Sequence, residues 1–263
     1  MARISAAAVA FVVCSLVSVS TGHAVPAPVG AWLFDEGEGE VARDSSGSGN
    51  DGKLEASADW ADGLRGSAVV FGPALGHVLF NADGDPDNAF ILHQDTDATL
   101  ALWVRPDEGG HGSYFWSRGD GADHGRFNVH NGAGAEFNFD YREDADAQPD
   151  PPHGGAPAAT LQRGEWVHVG ITRIGNEYEI WRSAVSQGPW TDRDPNLPTA
   201  QAWMLGGPRG CCPINTAVDE LAVWNVALSG AEMEKVMDGV AGLTRPVGPT
   251  GRLTSVWGAI KKR

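Results

Sequence analysis

The sequence predicts an all-β protein, an antiparallel β-sandwich of one domain, from its length and from the spacing of its apolar residues. Its 263 residues, 42% of them hydrophobic, can bury one substantial core. Residues alternate with period two over 99–106 and again over 218–224, which is typical of β-strands. Residues 136–141 place Phe137, Phe139 and Tyr141 on one face and three polar residues on the other.

The first 24 residues have the composition of a secretory signal peptide. Arg3 is followed by an apolar stretch over residues 4–19, and Gly22 and Ala24 are small residues at the usual cleavage positions. We expect cleavage after Ala24 and a secreted or extracytoplasmic protein. An uncleaved anchor is the alternative, although the stretch is short for a bilayer span. No long apolar segment follows, so no membrane span is predicted in the mature chain.

The charge of the mature chain excludes some partners. Residues 1–24 contain one basic residue and no acidic ones, which leaves 18 Lys and Arg against 34 Asp and Glu, or 18 − 34 = −16. The electrostatic field of this negative charge repels phosphate backbones and anionic membrane surfaces. Nucleic acid is therefore a poor partner, whereas divalent cations and neutral polymers are acceptable ones.

The first predicted strand covers residues 29–34. Residues 44–52 are rich in Gly, Ser and Asp and form a loop, because such residues cannot pack a core. Strands at 114–116, 126–130 and 136–141 should pair as an antiparallel meander. Residues 143–160 form a loop long enough to shape a binding rim.

In the C-terminal half, strands within 165–173 and 178–181 should form a hairpin across Gly175 and Asn176, which tolerate positive φ. The closing strand, 218–224, runs into a short helix. Ser229 and Glu232 form a capping box at its start, which satisfies two amides that have no partner within the helix.

Several motifs, in order, resemble those of laminin G-like domains, which share the concanavalin A-like jelly-roll sandwich. They are W-L-F-D-E-G from Trp32, W-A-D-G-L-R-G-S-A from Trp60, L-A-L-W-V-R-P from Leu100, W-V-H-V-G-I-T from Trp166 and D-E-L-A-V-W-N-V-A-L-S from Asp219. The resemblance covers residues 29–240 and implies a jelly-roll sandwich with a short C-terminal helix. We expect a domain over 25–240 and a tail over 241–263. The chain departs from the family at 183–201, an insertion that replaces the usual tight turn.

The resemblance implies one structural calcium ion, since several relatives of this fold hold Ca²⁺ where the first and last segments meet. The implied ligands are Asp44, carbonyl oxygens around Asn50 and Gly52, and Asp219 at the start of the closing strand. Hard oxygen ligands of this kind suit Ca²⁺. The alternative is that both aspartates cap turns through hydrogen bonds.

Cys211 and Cys212 are the only cysteines after signal removal, and export favours their oxidation. We expect a vicinal disulfide that stiffens the turn before Pro213. Adjacent Cα atoms are closer than ordinary disulfides prefer, so free thiols or pairing between chains are the alternatives.

The function predicted from these features is a calcium-stabilised binding module, most plausibly for carbohydrate. The candidate contacts are aromatic and amide residues, because flat rings stack on sugars and amides bind hydroxyl groups: Trp116, Asn128, Tyr141 and Trp190. A protein-interaction module of an extracellular assembly is the second hypothesis. A glycan hydrolase is the third, although the sequence has no paired-carboxylate motif and no other catalytic motif.

The tail carries apolar residues at helical spacing, Leu253, Val256, Trp257 and Ile260, and ends in three basic residues. A free helix this short is marginal in water. We expect it to dock on the surface of its own domain, with a partner molecule as the alternative.

Overall fold

A computed structural model describes residues 24–72, 76–80, 97–107, 112–118, 126–131, 136–142, 158–191, 202–206 and 214–244. For residues 112–113, 115–118, 126–131, 139–142 and 202, the description covers the backbone alone. The predicted signal peptide up to residue 23, the predicted disulfide of Cys211 and Cys212, and the tail beyond Thr244 lie outside the described residues.

Sixteen strands of the described chain form two eight-stranded sheets. Sheet A has, in spatial order, β14 (Val185–Thr191), β13 (Glu177–Arg182), β12 (Val167–Ile174), β7 (Ala98–Pro106), β16 (Thr216–Trp224), β5 (Ser67–Phe71) and β4 (Ala58–Asp62), with β1 (Gly30–Trp32) also paired to β16. Sheet B has β11 (Ala159–Thr160), β10 (Glu136–Arg142), β9 (Arg126–Asn131), β8 (Gly112–Arg118), β15 (Ala202–Gly206), β6 (His77–Phe80), β3 (Gly52–Glu55) and β2 (Val41–Ala42).

All pairings in both sheets are antiparallel, which confirms the predicted sandwich and the meander of β8, β9 and β10. The main core lies between the sheets and includes residues that alternate along the central strands, such as Leu100, Leu102 and Val104 on β7. The hairpin of β12 and β13 turns at Gly175, whose φ is 55°, as the sequence predicts.

A second core covers the outer face of sheet A. Helix α1 (Gly230–Met237) packs Met233 and Val236 against Trp224 of β16, and α2 (Ala241–Thr244) follows. Gly170 on β12 permits this close approach, because a Cβ there would lie 2.5 Å from the Cε of Met233. The two cores together explain why β16 is buried along its whole length.

The predicted capping box is present at the start of α1. The Glu232 carboxylate accepts hydrogen bonds from the backbone amide of Ser229, at 2.8 Å, and from its hydroxyl, at 2.7 Å. Neither described helix is long and apolar enough to cross a membrane.

The prediction that residues 183–201 replace a tight turn is wrong at their beginning. Ser183 and Ala184 form a two-residue turn with φ of 48° and 59°, and the chain then adds β14 as an edge strand on β13. Two consecutive positive φ values match the twist of a hairpin, but they are unusual outside Gly and Asn. The residue types at 183 and 184 therefore did not indicate a turn.

Candidate functional site

The Asp44 carboxylate closes the Gly- and Ser-rich loop after β2. Its Oδ1 accepts hydrogen bonds from the amides of Ala31 (3.0 Å) and Ser46 (2.9 Å), and its Oδ2 accepts from the amide of Asn50 (3.0 Å). The carbonyl oxygen of Asn50 accepts from Nε1 of Trp32 at 2.9 Å. These oxygens all have partners within the chain, which matches the turn-capping alternative for Asp44.

Asp219 lies in the central strand β16, and among the described residues only one of its two carboxylate oxygens has a hydrogen-bond partner. Oδ2 accepts a hydrogen bond from the amide of Arg65 at 3.0 Å, whereas Oδ1 is buried and has no partner among the described residues. Burial raises the pKa of Asp219 to about 7; the amide of Arg65 opposes this rise, and the Glu220 carboxylate adds to it. This buried oxygen favours a proton or a cation.

Strand β1 lies between the two aspartates. Trp32 pairs with Leu221 of β16 on one side and forms an isolated bridge with Asp44 on the other. Within the described ranges, no group of three or more His, Cys, Asp and Glu side chains could hold a metal ion. Asp44, Asn50 and Gly52 thus form one group and Asp219 another. Calcium binding by these residues stays a prediction.

Arg65 and Glu220 hold the end of α1 on sheet A. Nη2 of Arg65 donates to the carbonyl oxygen of Met237 at 2.7 Å, where the helix C-terminus favours a positive charge. Glu220 accepts a short hydrogen bond from the amide of Val240. Its φ is 52°, within the irregular pairing of β16 with β7. The positive-φ residue therefore positions an anchor for the C-terminal segment.

His168 is fully buried beside these anchoring residues. Its ring lies 5.3 Å from that of Trp103, its cross-strand partner, and both ring nitrogens lack hydrogen-bond partners among the described residues. Burial and, to a smaller extent, the positive charge of Arg65 together lower the pKa of His168 to about 3. The guanidinium of Arg65 lies 5.7 Å from the Trp103 ring centroid. His168 is thus held neutral.

Two of the predicted ligand contacts are neighbours on the outer face of sheet B. Trp116 of β8 pairs with Asn128 of β9, which pairs with Asp140 of β10. Phe137 on β10 is buried in the main core, so the alternation of a strand places Asp140 on the opposite, outer face. The same alternation places Tyr141 in the core-facing series, apart from Trp116 and Asn128.

Trp190, the fourth predicted contact, lies in the edge strand β14 of sheet A. It is half-buried and packs against the main core. Its ring centroid lies 6.0 Å from that of Tyr178, its cross-strand partner. The structure therefore places Trp190 at the rim of the other sheet, away from Trp116 and Asn128.

The sequence reasoning missed Arg65, Glu220 and Asp140 as members of these arrangements. The signals were present: Arg65 is the arginine of the W-A-D-G-L-R-G motif, and Glu220 follows Asp219 directly. The role of Arg65 depends on contacts across more than 150 residues of chain, since Arg65 meets Asp219 and Met237. Spacing alone cannot indicate such contacts.

The fold is that of the lectin-like β-sandwich domains among solved structures. It matches domain 4 of AbnA, an extracellular arabinanase of Geobacillus stearothermophilus, in complex with arabinotriose, with a TM-score of 0.63 and 16% identity over 80% of this chain and 98% of that one. It matches a Trypanosoma rangeli sialidase with a TM-score of 0.62 and 17% identity, over 82% of this chain but 34% of the sialidase. The binding domain of botulinum neurotoxin serotype D matches with a TM-score of 0.59 and 9% identity, over 81% and 52%.

A sequence model of the family described as the concanavalin A-like lectin/glucanases superfamily, with laminin G-like domains, matches residues 82–234. This span is more than half of the 263 residues. The chain belongs to this family, and the resemblance described above is confirmed. None of the curated proteins matches the sequence significantly.

Proposed function

We propose that this protein is an exported carbohydrate-binding module that binds its ligand on the outer face of sheet B. The observation that carries the proposal is the likeness to the arabinanase domain, which extends over almost all of a domain whose structure contains an oligosaccharide. The chain spans only about a third of the sialidases, so their activity is not part of the proposal.

The two outer faces of the sandwich differ in what covers them. On sheet A, the second core buries a large part of the outer face beneath α1, and it includes Trp181 and Trp224. On sheet B, the described helices contribute nothing to the outer face. Sheet B is therefore the better candidate for a ligand surface.

The residues on the outer face of sheet B have suitable chemistry. Trp116, Asn128 and Asp140 form one cross-strand row that combines an aromatic ring, an amide and a carboxylate. Asn138 and Glu136 continue the series on β10, where Nδ2 of Asn138 donates to Oε2 of Glu136 at 3.0 Å. Rings that stack and polar groups that bind hydroxyls are what a sugar site requires.

The test is to measure binding of the purified full chain to a panel of polysaccharides, arabinan included, by isothermal titration calorimetry. We expect binding to at least one polysaccharide. Trp116→Ala should weaken it about tenfold, equivalent to roughly 1.4 kcal/mol. Asn128→Ala should also weaken it, because an amide partner for sugar hydroxyls is lost.

Trp166→Ala is the matched control, since Trp166 is a half-buried tryptophan next to sheet A whose ring lies 5.2 Å from the Arg105 guanidinium. Its substitution should leave binding unchanged. Equal losses for Trp116→Ala and Trp166→Ala would contradict the assignment to sheet B. Absence of binding to every polysaccharide in the panel, together with capture of a protein from the same secreted material, would favour the protein-interaction hypothesis.

A further inference from the structure

Sheet A ends in two long edge strands, β14 and β4, and no other strand in the described ranges pairs with their outer sides. An edge strand presents unpaired backbone amides and carbonyl groups, which can pair with a strand of another molecule. Sheet B ends in β11 and β2, which have two residues each. Strands this short offer little to an added strand, so β14 and β4 are the edges at which two molecules can join their sheets.

The edge strand β14 has no charged side chain. Its seven residues are Val-Ser-Gln-Gly-Pro-Trp-Thr, and Val185 at its start is 64% exposed. Proteins usually protect an exposed edge with charged residues, with proline or with a bulge. Because charged residues are absent from β14, its protection must come from its backbone.

The nitrogen of Pro189 faces the free edge of β14. Ile174 and Glu177 flank a two-residue turn between β12 and β13, so they form a hydrogen-bonded pair. The polar backbone groups of successive residues point alternately to the two sides of a strand, so those of Glu179 also point to β12. Glu179 therefore pairs with Pro189 on its other side without hydrogen bonds. The Pro189 nitrogen carries no hydrogen, and it lies where another residue would offer a donor to a second molecule.

A bulge beside Pro189 protects the next position of β14. The register of β13 and β14 shifts between Glu179 and Trp181, and Gly188 has a φ of 114°. The Gly188 amide donates to Ser186 Oγ at 3.0 Å, and the Ser186 hydroxyl donates in turn to the Glu179 carboxylate. Such a bulge also bends the strand away from flat pairing. Gly188 and Pro189 are thus two consecutive residues that offer no amide to an added strand.

The edge strand β4 is protected by a side chain. The Gly63 amide donates to the carbonyl oxygen of Gly66 at 3.0 Å, across the turn between β4 and β5. Alternation from that hydrogen bond leaves Trp60 and Val69 as a pair without hydrogen bonds, so the Trp60 amide points to the free edge. There it donates to the Asp59 carboxylate at 2.8 Å. The central amide on the free edge of β4 therefore already has a partner.

We propose that Ser186, Pro189 and Asp59 prevent a second copy of this chain from pairing with either edge of sheet A, and that they keep the protein monomeric. The two long edges are protected by different residues and by different chemistry. A partner of this chain is then bound by a face or by the loops of the sandwich, without addition of a strand to sheet A. This inference is independent of the carbohydrate-binding function proposed above.

The experiment is sedimentation velocity of the full chain over a range of concentrations, with a reductant present so that disulfides between chains cannot form. The unmodified chain should sediment as a monomer. A double variant, Ser186→Val with Pro189→Thr, restores the missing donor and places two residues that suit a β-strand. We expect it to self-associate at least about tenfold more tightly than the unmodified chain. Amide hydrogen exchange within residues 185–191 should slow as it associates.

Each edge offers a matched control. Thr191→Val also replaces a hydroxyl residue of β14, but it leaves Pro189 and the Ser186 hydrogen bonds in place, so it should stay monomeric. On β4, Asp59→Ala should increase self-association because the Trp60 amide loses its partner. Asp62→Ala removes the same charge from the same strand and leaves that hydrogen bond intact, so its effect should be smaller.

Circular dichroism and the melting temperature show whether each variant is folded. A folded double variant that sediments as a monomer at every concentration would overturn the proposal. An unmodified chain that associates, with slow exchange in residues 185–191, would overturn it as well. If the double variant does not fold, the two substitutions on β4 decide, and equal self-association of Asp59→Ala and Asp62→Ala would contradict the proposal.

Discussion

Substitution of His168 by phenylalanine should change how stability depends on pH. His168 is fully buried without hydrogen-bond partners among the described residues, and its pKa is lowered to about 3 from an ordinary value of 6.5. Below pH 6.5 the unfolded chain takes up a proton that the folded chain does not. The stability contributed by neutral His168 is therefore complete above pH 6.5 and is lost as the pH falls toward 3.

The magnitude follows from the two pKa values. A difference between 6.5 and about 3 corresponds to about 5 kcal/mol when fully expressed, and about 2 kcal/mol of it is lost between pH 7.5 and pH 5. Asp219 acts in the opposite direction, because burial raises its pKa to about 7 and its contribution is lost as the pH rises from about 4 to 7. The pH dependence of the unmodified protein can therefore be small. The informative quantity is the difference between the two proteins.

The assay is urea unfolding of both proteins at pH 7.5 and pH 5. His168→Phe should gain about 2 kcal/mol relative to the unmodified protein on going to the lower pH. At pH 7.5 the free energy of unfolding of His168→Phe should not fall greatly. An aromatic ring beside Trp103 is retained, and two nitrogens that lack partners among the described residues are removed. Identical pH dependence of the two proteins would refute a buried neutral histidine. An NMR titration of the histidine ring showing protonation near pH 6 would refute it independently.

Three further results are expected. Arg65→Gln should destabilise the domain by about 1–3 kcal/mol and speed hydrogen exchange at the end of α1, because a charged hydrogen bond to Met237 is lost; unchanged exchange there would contradict the anchor. Met233→Ala should cost about 2–5 kcal/mol in urea unfolding, since Met233 is fully buried in the second core; a cost below 1 kcal/mol would indicate that the helix is not packed. If the calcium prediction holds, a chelator lowers the melting temperature of the unmodified protein but not that of Asp219→Ala. The same comparison with Asp44→Asn then shows whether Asp44 contributes a ligand. A melting temperature that chelator leaves unchanged in a demetallated, folded sample would contradict the calcium prediction.

The fold could be predicted where the evidence is local. The alternation of Phe137 with polar neighbours, the glycine at 175 and the capping box at Ser229 each determine structure within a few residues. The edge strand β14 could not be predicted, because the turn before it has Ser183 and Ala184 at positive φ, a conformation that these residue types do not indicate.

The candidate sites depended on distant pairings and were therefore predicted less completely. Trp116 and Asn128 were chosen by residue type, and the register shows that they are neighbours. Tyr141 was chosen in the same way, but it follows Asp140 directly on β10, so the alternation of the strand places the two residues on opposite faces. The separation of Asp44 from Asp219 depends on β1 lying between them, which no local pattern could reveal.

The position of β16 has a consequence for when the protein can fold. The last strand of the chain lies in the middle of sheet A, between β7 and β5, and also pairs with the first strand, while Nε1 of Trp224 donates to the carbonyl oxygen of Pro26 across 198 residues. Closing loops of this length is slow, so chains with such distant pairings reach their native state late. Until residue 224 is available, sheet A lacks its central strand. We therefore expect native sheet A to form only after the chain has been synthesised through Trp224.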